Sequence, residues 1–231
     1  KSNASVGAEN LAGSSLLLKV HTASRSKNLL ADGTKPSDGW FFYTPTQEQF
    51  ETIDCHICTI SRGFRSPGME GSAKKEVFNQ LMAGVITNED KMRPFIMYVT
   101  GLKLQNMWDF GKEAGKFTRL RPVGIPLFAL KVKLTTKQVE TKFGDVWVVN
   151  FDIVKNEAGQ PSIVSDEGQF QFLLDTTNGF LETLEKLIAA RSTEEQDELP
   201  HLADIVSEAE RIFKVNSVDS QPDKPEDDIP V

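Results

Sequence analysis

Aromatic rings and basic side chains share short segments at several places in the sequence. A surface for single strands needs exposed rings on which bases stack, and lysine or arginine for the phosphates. We therefore predict a nucleic-acid-binding surface, although each ring taken alone is more typical of a hydrophobic core. The candidate residues are Trp40, Phe41 and Tyr43, then Arg62, Phe64 and Arg65, then Lys116, Phe117, Arg119 and Arg121, and finally Lys131 and Lys133.

The charge of the chain is divided unevenly along its length. Residues 1–155 hold 21 Lys and Arg against 15 Asp and Glu, a net charge of +6. Residues 156–231 hold 5 against 18, a net charge of −13, and the whole chain carries −7. A basic body joined to an acidic segment is typical of a protein that binds a polyanion and uses the acidic part for regulation or recruitment. A neutral fold with acidic surface helices is the simpler alternative.

The last six residues, Glu226 to Val231, place three carboxylates before an apolar end that includes a proline. The run before them, from Val215 to Pro225, has too few large apolar side chains to hold itself against a core. We predict a flexible arm whose tip contacts partner proteins; a tail that only keeps the protein in solution is the alternative. The tip residues are Asp227, Asp228, Ile229, Pro230 and Val231.

The sequence contains no motif of a known catalytic constellation. It has three histidines and none of the patterns HExxH, GxSxG, GxGxxG after a strand, or a Walker loop. The carboxylates Glu89, Asp90, Asp109 and Asp152 could be assembled into a nuclease site, but nothing in their spacing requires one, and turn and surface positions account for them better. We predict a protein that is not an enzyme and that needs no cofactor.

Cys55 and Cys58 form a CxxC pair inside a strand-like run. Structural zinc needs four ligands, and only His21 or His56 could add to the pair, because no second CxxC or CxxH exists. Side chains alternate between the two faces of a strand, so the two thiols point in opposite directions. We predict core positions and no metal, in a reducing cytoplasm where cysteines do not form disulfides.

The residues that could bind nucleic acid must be positioned by strands and helices, and hydrophobic periodicity predicts both. A helix is predicted from Leu102 to Ala114, before the last two strands, and another from Ala73 to Ala83 in the long excursion at 66–92. Near the end of the chain, helices from about Asn178 to Arg191 and from about Pro200 to Phe213 form a predicted hairpin. The predicted strands are Ser15–His21, Gly39–Thr44, Thr52–Ser61, Arg93–Thr100, Ile125–Leu134 and Asp145–Val154.

This order of elements predicts an α+β fold that is mainly β. Strands with one helix before the last two match the element order of an OB-fold, a small barrel that binds oligonucleotides. A generic α+β sheet would produce the same list of elements. The predicted organisation is an OB-fold-like barrel with an inserted helix at 1–165, a helical hairpin at 166–213 and a flexible acidic tail at 214–231.

Two parts of the chain resemble known families. From Gly39 to Val154 the sequence is similar to phage-encoded proteins that act beside recombination and replication enzymes, through an Arg-Gly loop, Thr100 to Lys103, and Gly124 to Phe128. The tip resembles the C-terminal hexapeptide of bacterial single-stranded DNA-binding proteins, which ends in Ile-Pro-Phe; Val231 replaces the aromatic residue. The resemblance implies a phage protein of the host cytoplasm that coats single-stranded DNA non-specifically and recruits replication or recombination enzymes through its tip.

A structural or assembly protein, such as a virion component or scaffold, is the alternative from another class. The helical hairpin would then mediate formation of a homo-oligomer. A nuclease is the third interpretation. No run of about 18 apolar residues and no signal-peptide pattern occur, so we expect no membrane partner.

Overall fold

A computed structural model describes residues 16–22, 28–67, 76–119, 124–141 and 144–192. Arg121, the predicted helix from Pro200 to Phe213 and the predicted tail at 214–231 lie outside the described residues. The described part of the chain has an α+β fold of mostly antiparallel sheets with two α-helices, as the sequence predicts.

Nine strands in the described residues form a small and a large sheet. The small sheet has the order β1-β2-β3, and both of its pairings are antiparallel. Its strands are β1 (Leu18–Val20), β2 (Phe41–Tyr43) and β3 (Glu48–Phe50). The strands of the large sheet are β4 (Ile53–Ile60), β5 (Phe64–Pro67), β6 (Glu76–Ile86), β7 (Arg93–Thr100), β8 (Lys131–Thr141) and β9 (Gly144–Ile153).

The large sheet is arranged around β6. One edge of β6 pairs with β7, and the other edge pairs first with β5 and then with β4. β4 continues the sheet to β8, and β8 pairs with β9 through a hairpin. All of these pairings are antiparallel. Three of them, β5 with β6, β6 with β7 and β8 with β9, join strands that are consecutive in the chain.

The predicted helix from Ala73 to Ala83 is wrong, because its described part belongs to β6. Leu81 and Val85 pack into one hydrophobic core, and Met82 and Ile86 pack into another. A strand that is buried on both faces has no polar and apolar alternation, so periodicity alone does not separate it from a buried helix. Gly84 suits this strand, because a Cβ there would collide with the carbonyl oxygen of His56 on β4.

The two hydrophobic cores lie on opposite faces of the large sheet. The first core includes residues of the small sheet and of helix α1 (Leu102–Thr118). The second core is covered by helix α2 (Glu167–Ser192) through Leu173, Phe180 and Leu184. Both helices were predicted, but each is longer than its predicted range: α1 continues past Ala114 and α2 begins well before Asn178.

The edges of the large sheet, β7 and β9, do not pair with each other within the described residues. The sheet is therefore not a closed barrel, and an OB-fold stays a prediction. Helix α1 contacts both edge strands. Its Asn106 side chain donates hydrogen bonds to the carbonyl oxygen of Val149 (2.8 Å) and the side-chain oxygen of Asn150 (3.0 Å) on β9.

The small sheet contacts the large sheet at two distant strands. The Tyr43 hydroxyl donates a hydrogen bond to the carbonyl oxygen of Pro94 on β7, at 2.7 Å. The Thr136 hydroxyl on β8 donates one to the carbonyl oxygen of Gly39, at 2.5 Å. These bonds fix the small sheet over the first core.

Neither helix in the described residues combines the length and the apolar composition needed to cross a bilayer.

Candidate nucleic-acid interface

Three of the rings predicted to stack on bases are buried. Phe41 is fully buried, and Tyr43 and Phe64 are 3% and 6% exposed. Phe41 and Tyr43 pack in the first core, and Phe64 packs in the second. These rings are not available for stacking, contrary to the prediction. Phe41 and Tyr43 point from the small sheet into the first core, and Phe64 is covered by the second core, to which α2 belongs.

Two further predicted rings are partly buried. Trp40 lies beside the small sheet, where its carbonyl oxygen accepts a hydrogen bond from the backbone N–H of His21 at 2.8 Å. Phe117 packs from the last turn of α1 against the first core. Both rings expose only part of their surface, so neither is the best stacking candidate in the described chain.

Several predicted cations lie beside carboxylates. Lys131 and Lys133 are exposed on β8, as the alternation in the sequence predicts. Lys133 lies 4.0 Å from Asp54 on β4 and directly opposite Asp152 on β9. Arg65 pairs with Glu76 at 2.9 Å. Because these carboxylates reduce the local positive potential, β8 and Arg65 offer weaker phosphate contacts than the sequence suggests.

A groove of about 670 Å³ runs along one face of α1 and is open to solvent. We call it the α1 groove. Its lining combines an aromatic ring, two glycines, an amide and three cations in one concave surface. The lining residues are Ile60, Gln80, Met107, Trp108, Gly111, Lys112, Gly115, Lys116 and Arg119.

Two exposed rings meet at the α1 groove. Trp108 is 45% exposed and Phe78, on β6, is 43% exposed. Their ring centroids lie 6.5 Å apart with an interplanar angle of 61°, which is the edge-to-face arrangement that aromatic pairs prefer. A contiguous exposed apolar patch marks an interaction surface more often than a single exposed residue does, so this pair of contacting rings is the strongest stacking candidate in the described residues.

The loop that follows β4 lies directly against Phe78 and is linked to Trp108 through the side chain of Gln80. The indole N–H of Trp108 donates a hydrogen bond to the side-chain oxygen of Gln80 at 2.7 Å, and the Gln80 amide donates to the carbonyl oxygen of Ser61 at 2.9 Å. The ring of Phe78 lies so close to Gly63 that a Cβ at Gly63 would collide with it. The exposed Arg62 lies between Ser61 and Gly63 in the sequence.

The cations of the α1 groove differ in their partners. Lys112 pairs with Asp109 at 3.0 Å. Lys116 and Arg119 are exposed and make no ion pair with any residue that the structure describes. The nearby carboxylate of Glu113 is paired with Lys155 at 2.9 Å. Lys116 and Arg119, both predicted from the sequence, are therefore the cations best placed to meet phosphates.

The two glycines leave the floor of the groove open. A Cβ at Gly111 would have no atom of the described structure within 4 Å, and one at Gly115 would only approach the Arg119 side chain at 3.7 Å. A glycine inside a helix costs about 1 kcal/mol relative to alanine. Packing within the described residues does not require glycine at either position.

The cysteines are separated by the sheet, as the sequence predicts. Cys55 is buried in the first core and Cys58 in the second. Burial raises the pKa of the Cys55 thiol well above its usual range and that of Cys58 to about 12. A thiol must lose its proton to bind a metal or to act as a nucleophile, so both cysteines are chemically inert in this fold. No group of three metal-ligating side chains occurs among the described residues.

The two rings of the groove were missed by sequence reasoning. Trp108 follows Met107 in the sequence, and Met107 and Leu104 lie on the buried side of α1, so helical periodicity favours a buried position for Trp108 too. Phe78 was hidden in the incorrect helix at 73–83. The sequence does contain a sign of exposure: Trp108 stands between apolar Met107 and charged Asp109, at the border of the apolar face of the helix.

Comparisons with known proteins found no family model, no curated protein and no solved structure that matches the chain. The relation to phage proteins and the tail-based relation to bacterial single-stranded DNA-binding proteins therefore stay predictions. The chemistry of the α1 groove is the basis on which a function can be argued.

Proposed function

We propose that this chain is a non-catalytic protein that binds single-stranded DNA through the α1 groove. One observation carries the proposal: an exposed tryptophan, Trp108, and two cations without an ion-pair partner in the described residues, Lys116 and Arg119, line the same groove. Stacking rings and phosphate-binding cations are the two components that binding of single strands requires.

The proposed strand lies along α1. One base stacks on Trp108, and Phe78 extends the aromatic surface beside it. The phosphates that follow are bound by Lys116 and Arg119, one and two turns further along the helix from Lys112. Gly111 and Gly115 let the strand approach the helix backbone. Stacking and phosphate contacts do not depend on base identity, so we expect little sequence preference.

The order of the elements supports an oligonucleotide-binding fold. β4, β6 and β7, then α1, then β8 and β9 give five long strands with a helix after the third. This is the element order of the OB-fold, a partly open barrel that serves many oligonucleotide-binding proteins. We propose an OB-fold-like arrangement in which α1 occupies the gap between the edge strands.

The acidic tail is proposed to have two roles. Its apolar tip, Ile229 to Val231, would recruit replication or recombination enzymes, and its carboxylates would compete with DNA for the basic groove. Because Val231 offers less apolar area than an aromatic residue, a partner pocket would gain less from burying it. Assignment to a phage, and hence to a host cytoplasm, belongs to the same proposal.

A fluorescence anisotropy titration tests the proposal. The full chain is titrated into labelled oligo-dT and, separately, into a labelled duplex of the same length, at low and at moderate salt. We expect tighter binding to oligo-dT, and a steep loss of affinity with salt, because binding cations release counterions from phosphates. If oligo-dT does not bind even at low salt, the proposal fails; light scattering would then test the alternative of a self-assembling structural protein.

A further inference from the structure

Gln80 connects two elements that are distant in the sequence. Its side-chain oxygen accepts the indole N–H of Trp108 at 2.7 Å, and its amide group donates to the carbonyl oxygen of Ser61 at 2.9 Å. Ser61 is itself fixed to β6, because its N–H donates to the Leu81 carbonyl oxygen and its hydroxyl accepts the Leu81 N–H, both at 2.8 Å. The indole is therefore tied to the large sheet through a continuous chain of hydrogen bonds.

This connection matters because Trp108 is nearly half exposed. An exposed side chain on a helix normally samples several rotamers, and a ligand that selects one of them must offset the lost entropy. The indole has a single donor, its N–H, and Gln80 accepts it. The ring is thus held in one orientation before any ligand arrives, which lowers the cost of binding.

We propose that Gln80 is a positioning residue that fixes the indole of Trp108 as a stacking surface for a base. The inference rests on the proposed function and deepens it. Gln80 acts through Trp108 and does not read the base itself; one of its amide N–H groups and its side-chain oxygen already bond to the protein.

A double-mutant cycle tests this role. Gln80→Met keeps the length of the side chain but removes both hydrogen bonds, and Trp108→Phe keeps a ring but removes the donor. We expect Gln80→Met to weaken oligo-dT binding roughly fivefold, the fold-change of about one net hydrogen bond. In the Trp108→Phe background the same substitution has no further effect, because the bond is already absent.

A second measurement follows the indole without nucleic acid. In a ¹H–¹⁵N spectrum, the Trp108 indole cross-peak, assigned by its loss in Trp108→Phe, should shift and exchange faster with solvent in Gln80→Met. The peak reports the loss of the hydrogen bond, and the affinity reports its role: a purely structural role would lower the thermal midpoint and leave the oligo-dT affinity of the folded protein unchanged.

Three results would overturn the proposal. They are an unchanged indole peak, an unchanged affinity of Gln80→Met, and an equal loss of affinity in both backgrounds, which would indicate direct contact of Gln80 with the base. If the wild-type chain does not bind oligo-dT while the indole peak responds as expected, the proposed function fails and the hydrogen bond from Gln80 to Trp108 still stands.

Discussion

The rings of Phe78 and Trp108 meet edge to face, with centroids 6.5 Å apart, although one belongs to β6 and the other to α1. The contact brings an exposed aromatic surface next to Lys116, in the last turn of α1, and Arg119, at its C-terminal cap. The fold thus assembles a ring and cation site from segments that are far apart in the sequence. The following predictions test its parts separately.

Replacing Trp108 by alanine should weaken oligo-dT binding by about 1–3 kcal/mol, since that is the value of one stacked base. The free energy of unfolding should fall by about 1–2 kcal/mol, the cost of losing the hydrogen bond to Gln80 and the edge-to-face contact with Phe78 at a ring that is nearly half exposed. Anisotropy titration and urea unfolding measure the two quantities. Leu102→Ala is the matched control, as Leu102 is an exposed apolar residue of the same helix that does not line the groove. Equal losses of affinity in both variants would show that the ring has no specific role.

Gly63→Ala should displace the ring of Phe78 and weaken oligo-dT binding, because the new methyl group occupies the space of the ring. The Phe78→Ala background supplies the control, since there the methyl group meets no ring and Gly63→Ala should have no effect. The comparison is made by anisotropy titration of the four proteins. A loss of affinity that persists without the Phe78 side chain would mean that the loop backbone, and not the ring, is affected.

Gly111→Ala should stabilise the protein and weaken binding at the same time. Alanine is favoured over glycine inside a helix by about 1 kcal/mol, and the added Cβ meets no described atom within 4 Å, so the thermal midpoint should rise by about 2–4 °C. The same methyl group stands on the floor of the α1 groove, where it should hinder a bound strand. Gly168→Ala in the first turn of α2 is the control without effect on affinity. Stabilisation with unchanged affinity would place the strand elsewhere.

Deleting residues 215–231 should tighten oligo-dT binding and abolish recruitment of partner enzymes, measured by titration and by pull-down. The carboxylates of the tail are expected to control DNA affinity, and its apolar tip is expected to control recruitment, so separate substitutions can distinguish the two effects. Asp227→Asn with Asp228→Asn should reproduce the tighter binding, because competition for the groove depends on charge, whereas Ile229→Ala should impair recruitment alone. The tail hypothesis is wrong if the deletion leaves both measurements unchanged.

Helix α1 and the strands β1, β2, β4, β7 and β9 could be predicted because their apolar patterns are local, and β8 was predicted in part; β3 and β5 were not predicted. β6 could not be predicted, since a strand that is buried on both faces by two cores shows no alternation. Phe41 and Tyr43 were predicted as stacking rings, but the small sheet is packed so that consecutive residues of β2 are all buried. Burial at such positions is decided by distant segments that the local pattern does not contain.

The candidate site also contains residues that the sequence predicts and residues whose role depends on contacts between distant segments. Lys116 and Arg119 were recognised because they stand beside Phe117 in a basic run of the sequence, although the predicted helix ended before that run. The exposure of Trp108 depends on how the first half of β6, with Phe78 and Gln80, lies beside α1, and the orientation of Gln80 depends on the path of the chain around Ser61. Sequence reasoning therefore found two of the three cations that line the groove, and it missed Trp108 and the neighbouring Phe78.

The salt dependence of oligo-dT binding tests the central claim most directly. Two double variants are compared with the wild type: Lys116→Ala with Arg119→Ala in the groove, and Lys91→Ala with Lys137→Ala at exposed positions outside its lining. Each phosphate contact to a single strand contributes about −0.7 to the slope of log affinity against log salt. The account predicts that the groove variant loses about 1.4 of this slope and the control variant keeps it. An unchanged slope in the groove variant, or the same loss in both, would contradict binding of single strands in the α1 groove.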